Sequence, residues 1–217
     1  MSKFKEETLL SQHLILFPDR TLFWQEERLL VVADLHFGKA QIFREYGIPI
    51  PGGTTADDLE RLSYRMDQLQ PRKLLFLGDL VHGRINDQNN LGQLADEWRC
   101  RHKRVELLLA PGNHDLRSGD PPAQFRFDHV ATEIVLGSFI FTHQPRLNSS
   151  FYGIAGHLHP AVTLTAQAGL KERLPCFCFG PRGALLPAFG SFTGTQLIRP
   201  SSENRTYVIA GDEVFEM

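Results

Sequence analysis

An α/β fold of two packed, mixed β-sheets flanked by helices is predicted by three features of the sequence. Apolar strands alternate with amphipathic helices in the first half, short strands and turns fill the second, and polar clusters close the strands. The opening reads as β at 14–17, turns at Pro18 and Asp19, and continues as β at 21–24 and Leu29–Ala33, which runs directly into Asp34 and His36. Leu59, Leu62, Met66 and Leu69 then recur at helical spacing behind the cap candidates Thr54 and Thr55, and Leu91, Leu94, Ala95 and Trp98 repeat that pattern. The apolar runs Lys73–Leu77 and 105–110 flank these helices as buried strands of crossover units do. From Phe125 onward, strands are expected at 131–136, 138–142, 154–156, 162–165, 175–179 and 207–210. Phe125, Phe127, Phe139, Phe141, Phe177 and Phe179 are expected to fill a sheet interface.

The 217 residues, 42% hydrophobic and 22% charged, have the make-up of an ordinary globular protein. With no repeat, linker or low-complexity tract, one domain over residues 1–217 is expected. A net charge of −2 and a pI near 6.5 give no global basic footprint, so any nucleic-acid contact must come from a local patch or from bound cations. Cys100, Cys176 and Cys178 are too few for a disulfide framework, and the 176/178 pair has no second pair to complete a zinc site, so core packing is expected of it. The N-terminus has charges where a secretory apolar region would lie, and no apolar run approaches the ~18 residues of a membrane span. A cytoplasmic protein without membrane contact is expected.

Five short segments close or follow the apolar strands: Asp34-Leu35-His36, Gly78-Asp79, Gly112-Asn113-His114-Asp115, Thr142-His143 and Gly156-His157-Leu158-His159. In extended backbone, residues two apart share a face, so Asp34 and His36 are expected to converge while Leu35 faces the core, and His157 and His159 to do the same around Leu158. Asp34, Asp79, Asn113, His36, His143, His157 and His159 form a mixed oxygen and nitrogen donor set. It suits two divalent ions, Mn²⁺ first and Fe or Zn²⁺ next, with Asp79 expected to bridge. Two such ions ~3.5 to 4 Å apart acidify a shared water and clamp the attacking and leaving oxygens of an in-line displacement at phosphorus. Their charge exceeds that of two carboxylates and draws in a phosphoryl group.

His114 is the candidate general acid, and Asp115 is expected to orient or polarise it. Lys39, Arg44, Arg84 and Arg146 lie in or just beyond the motif loops, where they could meet flanking phosphates. His82, three residues after Asp79, is close enough to touch a substrate phosphate or support the metal site. His13, His102 and His129 are expected in ordinary surface or packing roles. No repeated interleaving of basic and aromatic residues marks a single-strand groove, so cleavage directed at the backbone is expected rather than sequence readout.

The order and spelling of DLH, GD, GNHD, TH and GHLH over residues 34–159 resemble the calcineurin-like metallophosphoesterase superfamily. That resemblance implies its αββα sandwich. It also implies one metal on Asp34, His36, Asp79 and His159, another on Asp79, Asn113, His143 and His157, and His114 near the leaving group. The stretches ADLHFGKAQIFREYGIPIP, LPCFCFG and LPAFGSFTG are similar to the bacterial DNA-ligase-associated metallophosphoesterases. This narrower resemblance implies a phosphodiesterase or nuclease acting on DNA in repair, with a DNA ligase and a helicase as functional partners and, by analogy, a homodimer. Two alternatives remain open: a nucleotide or phosphoprotein phosphohydrolase with the same centre, and a catalytically silent binding module of a repair complex. The second would be marked by missing ligands, whereas every expected one is present.

Overall fold

A computed structural model describes residues 3–49, 54–82, 90–119, 121–146, 150–165, 169 and 171–217, which form two packed sheets. The first runs in chain order: β1 (Lys5–Leu9), β2 (Gln12–Leu16), β3 (Leu22–Trp24), β4 (Leu29–Ala33), β5 (Lys73–Leu77), β6 (Glu106–Ala110) and β7 (His129–Val130). Short turns make β1 to β4 antiparallel, whereas β4 to β7 are parallel and require crossovers. The first crossover holds α1 (Lys39–Glu45) and α2 (Thr54–Leu69), the second α3 (Leu91–Arg101), and the third the short α4 (Asn113–Ser118).

The second sheet contains β8 (Glu133–Leu136), β9 (Phe139–Thr142), β10 (Tyr152–Ala155), β11 (Pro160–Thr165), β12 (Lys171–Phe179), β13 (Gly183–Leu185), β14 (Gln196–Leu197), β15 (Arg205–Ala210) and β16 (Glu213–Glu216). Its order is β14-β11-β12-β13-β10-β9-β8, with β15 and β16 joined through β12. Strands β9, β10 and β13 run parallel to one another.

Strand alternation sends Leu14, Trp24, Val31, Leu75, Phe139, Phe141, Phe177 and Phe179 into the core between the sheets. The opposite face of the first sheet, including Leu30, Val32, Leu74 and Phe76, packs on Leu59, Leu62 and Met66 of α2 and on Ala95 and Trp98 of α3. Strands β4 to β6 are thus covered on both faces, which is why they read as unbroken apolar runs. Each such side chain, once fully buried, contributes ~1.5 to 3 kcal/mol.

Several expectations are corrected. Phe125 and Phe127 do not enter the sheet interface: Phe125 ends a 3₁₀ turn and packs with Phe76 and Trp98 beneath α3, with Phe127 stacked on it. Thr54 and Thr55 are the first residues of α2 rather than its caps. Among the described residues no α-helix follows β7, so the outer face of the second sheet carries only a small cluster centred on Val162, Cys176 and Val208. Cys176 and Cys178 are buried free thiols, and burial pushes Cys176 up to about 12.

His102 is buried and bonds Ser63 Oγ at 2.8 Å, His13 is exposed and pairs with Glu26 at 2.5 Å, and His129 is exposed in β7. No helix among the described residues is long and apolar enough to cross a membrane.

Candidate metal centre

Parallel strands gather their carboxyl ends on one edge, and both sheets bring that edge to the same place. Asp34 follows β4, Asp79 follows β5 and Asn113 follows β6, while His143 follows β9 and His157 follows β10. The glycines of three motifs make this approach possible. A side chain on Gly78 would collide with the His143 ring, one on Gly112 with Asp79, and one on Gly156 with Asp34.

The extended geometry expected of the motifs is absent. Asp34, His36, Asp79, His157 and His159 have φ values of 53°, 49°, 44°, 67° and 47°, so the donors converge through left-handed turns beyond the strand ends. Such backbone persists only where surrounding contacts over-determine it. Here Asp34 N–H donates to Gly78 O at 3.2 Å, His36 N–H to Asp79 O at 2.8 Å and Phe37 N–H to Leu80 O at 2.7 Å, splicing the first two motifs together.

Two groups of donors result, Asp34 with His36 and His159, and Asp79 with His143 and His157, the ligand atoms of each lying within 4.8 Å of one another. Asn113 Oδ1 joins the second group, 3.2 Å from His143 Nε2. The groups adjoin at Asp79, whose Oδ2 lies 4.0 Å from His36 Nε2 and whose Oδ1 lies 3.5 Å from His143 Nε2. Backbone donors aim both carboxylates: His157 N–H bonds Asp34 Oδ2 and His114 N–H bonds Asp79 Oδ1, each at 2.9 Å. Burial, followed by the charges of Lys39 and His159, lowers His36 to about 2 and keeps it neutral, the form that ligates a cation.

A divalent cation fits these residues. Both ring nitrogens of His36 are buried without a hydrogen-bond partner, a costly state that coordination would relieve, and Asp34 Oδ1 and His159 Nε2, also buried, face each other at 3.4 Å. Two imidazoles are also oriented by carbonyls, His143 Nδ1 by Leu77 O at 3.2 Å and His159 Nδ1 by Gly194 O at 2.9 Å, leaving Nε2 toward the donors.

The remaining site residues divide. His114 packs its ring on His36 and His82, with centroids 5.4 and 4.7 Å away, and His82 Nδ1 is buried without a hydrogen-bond partner. Lys39, half-buried at the start of α1, senses both Asp79 and Asp34. Arg146 borders Asn113 and His143 and pairs with Glu133. Arg44 instead lines a cleft between α1, α2 and α3 with Thr55, Leu94 and Glu97, apart from the donors. Arg84 lies outside the described residues.

Asp115 differs from expectation. Its buried carboxylate accepts the N–H groups of Gly112 at 2.8 Å, Val81 at 3.0 Å and Leu80 at 3.2 Å, so it clamps the loop after Asp79 to the start of α4. Burial pushes its carboxyl up, and those three donors oppose the shift.

The segment after β13 is a feature the residue-by-residue reading missed. Phe189 N–H bonds Ala33 O at 2.7 Å, Gly190 N–H bonds Asp34 O at 3.2 Å, and Gly194 reaches His159. Its only sequence signal was the LPAFGSFTG stretch. Phe43 and Phe192, 5.3 Å apart beside His82, were also missed, because nothing in their spacing marks them.

A sheet sandwich with two adjoining donor groups at the ends of its parallel strands defines a class, the metal-dependent hydrolases. Residues 27–177 match the calcineurin-like phosphoesterases, and the chain belongs to that family as a metal-dependent phosphoesterase. Its structure resembles that of the Pseudomonas putida nuclease MPE, with a TM-score of 0.83 and 32% identity over 99% of this chain and 100% of that one. It also resembles Yfce, a phosphoesterase from E. coli, with a TM-score of 0.41 and 16% identity over 84% of this chain and 87% of that one. No curated protein sequence matches it.

Proposed function

We propose that the protein is a nuclease, a two-metal phosphodiesterase that cleaves the backbone of DNA, with RNA as the related substrate. The observation that carries this reading is the meeting of two donor groups at Asp79, in a chain similar from end to end to a nuclease. Asp34, His36, Asp79 and His159 would hold one ion, and Asp79, Asn113, His143 and His157 the other. Mn²⁺ is the first choice for a donor set of oxygens and imidazoles without a thiolate. When bound, the pair supplies Lewis acidity and an acidified water for in-line displacement at phosphorus.

The chain's own residues do the rest. Asp79 turns one oxygen toward each group and could therefore contribute to both ions. His114, held by its backbone on Asp79 Oδ1, presents its imidazole beside His36 and His82, where it can deliver a proton to the departing oxygen. Lys39 adds positive charge beside the carboxylates and favours an anionic substrate. The DNA-ligase-associated resemblance implies a place in DNA repair alongside a ligase and a helicase, and the few cysteines and charged N-terminus suggest the cytoplasm.

The test is hydrolysis of bis-p-nitrophenyl phosphate and of single-stranded, duplex and hairpin DNA by metal-depleted protein, with Mn²⁺ titrated back and Asp79→Asn as control. Metal-dependent cleavage of the ester and of DNA, lost in the variant, is expected. Cleavage of the small ester alone would reject the nuclease in favour of a nucleotide hydrolase, and inactivity with Mn²⁺, Fe²⁺ and Zn²⁺ would reject catalysis.

A further inference from the structure

A cavity of ≈ 540 Å³ opens beside His157 on the second sheet. Its floor is made by β10 and β13, where Gly153 and Gly183 are register partners, and its walls include Pro145, Leu158, Pro181 and Leu185. At Gly183 the packing is tight, since a Cβ there would stand 3.0 Å from Gly153 O. Gly153 is not required by packing: its φ is not positive, and an added Cβ would meet only Arg146 O at 3.6 Å and Arg182 O at 3.9 Å. Glycine at 153 therefore keeps the floor flat and open.

Polar residues stand at a few places around this apolar floor, namely Gln144, Asn204, Arg146 and Arg182. Among the described residues no carboxylate lines the cavity. It is continuous with the metal centre. Gln144, Pro145 and Arg146 also line the neighbouring ≈ 390 Å³ cleft that contains Asn113 and His143, where Glu133 takes the Arg146 charge. A track thus leads from the donors past Arg146 and His157 into an apolar hole with amide hydrogen-bonding groups and an arginine at its exposed rim.

We propose that this cavity is a nucleobase subsite, receiving the unstacked base of a nucleotide next to the scissile phosphate. The inference rests on the nucleic-acid reading of the metal centre. A base needs a flat apolar surface for its faces and donors and acceptors for its edge, and its phosphate needs positive charge one nucleotide away. The floor supplies the first, Gln144 and Asn204 the second, and the metal centre the third. Arg182, planar and at the rim, can lie over the ring. Because the polar groups are few and the floor is featureless, the subsite accepts bases with little selectivity.

The probes are the 3′- and 5′-monophosphates of 2-aminopurine deoxynucleoside and the matching deoxyribose phosphates, titrated into Mn²⁺-loaded protein and followed by fluorescence and calorimetry. One of the two nucleotides is expected to bind at least tenfold more tightly than its deoxyribose phosphate, with a change in 2-aminopurine emission. Leu185→Trp, which fills the cavity, should abolish that difference. Arg182→Ala should reduce it several-fold and preserve folding, because the Arg182 contact with the floor is its carbonyl, which accepts the Gly153 N–H.

Equal affinity with and without the base would overturn the subsite, as would a difference untouched by both variants. A dimer dissociated by Leu185→Trp without any base-dependent binding would assign the cavity to self-association and also overturn it. The two readings fail separately. DNA cleavage without a base-dependent gain leaves the nuclease and removes the subsite, whereas a base-dependent gain without DNA cleavage keeps a nucleotide site and removes the nuclease.

Discussion

Gly156 lies directly against Asp34: a Cβ on Gly156 would stand 2.5 Å from Asp34 Oδ2 and 2.8 Å from the Cβ of Ala33. The second sheet therefore seats its histidine motif on the first only because residue 156 has no side chain. Gly156→Ala is expected to cost about 1 to 3 kcal/mol through overpacking and to push Asp34 out of place. Urea denaturation and metal content measured together check this, and a stable protein with full metal content would refute it.

Asp115 holds three backbone N–H groups and orients no ring. Asp115→Asn removes the charge and turns one acceptor into a donor facing those amides. Destabilisation by about 1 to 3 kcal/mol is expected, with weaker metal binding because the loop after Asp79 loosens. Unchanged stability with reduced turnover would instead restore a role in orienting His114.

Removing His36 and removing the Asp79 charge should have different effects on loading. His36 belongs to one donor group, whereas Asp79 faces both. Elemental analysis of His36→Ala should show one ion retained, and Asp79→Asn should lose both. Chelation of the wild type should lower its melting temperature, since the ions bind only the folded chain.

Acid should weaken the fold partly through His102. Burial, followed by the Arg101 charge, holds its imidazole below the usual value of 6.5. Above that pH it is neutral in both folded and unfolded chains. As the pH falls through 6.5 the unfolded chain takes up a proton that the folded chain resists, so stability is lost in the acid direction. Urea midpoints of metal-free protein at about pH 7.5 and 5.5 should diverge more for the wild type than for His102→Gln.

The parts of this structure legible in the sequence are those with strong periodicity. β4 and β5 stand where their apolar runs end, and Leu59, Leu62 and Met66 face the first sheet as their spacing requires. The polar donors were legible because so many imidazoles and carboxylates close strands in succession. Their backbone was not: left-handed φ at Asp34 or His159 is imposed by bonds from distant segments, and residue type does not reveal it. β1 escaped because Lys5, Glu6 and Glu7 carry no apolar alternation, and α4 because its first turn is made of the motif residues themselves. Asp115 was misread because its neighbour in sequence is His114, while its hydrogen bonds go to Leu80, Val81 and Gly112.

Each donor group draws from both sheets. Asp34 and His36 with His159, and Asp79 with His143 and His157, span the seam between the halves of the chain. A cation at either position is therefore a rivet through that seam, and its affinity is part of the energy that docks the halves. The same arrangement sets an order during synthesis. A ribosome-bound chain that has emerged only through β7 carries Asp34, His36 and Asp79 but not His143, His157 or His159, so neither donor group is complete until the second sheet closes on the first.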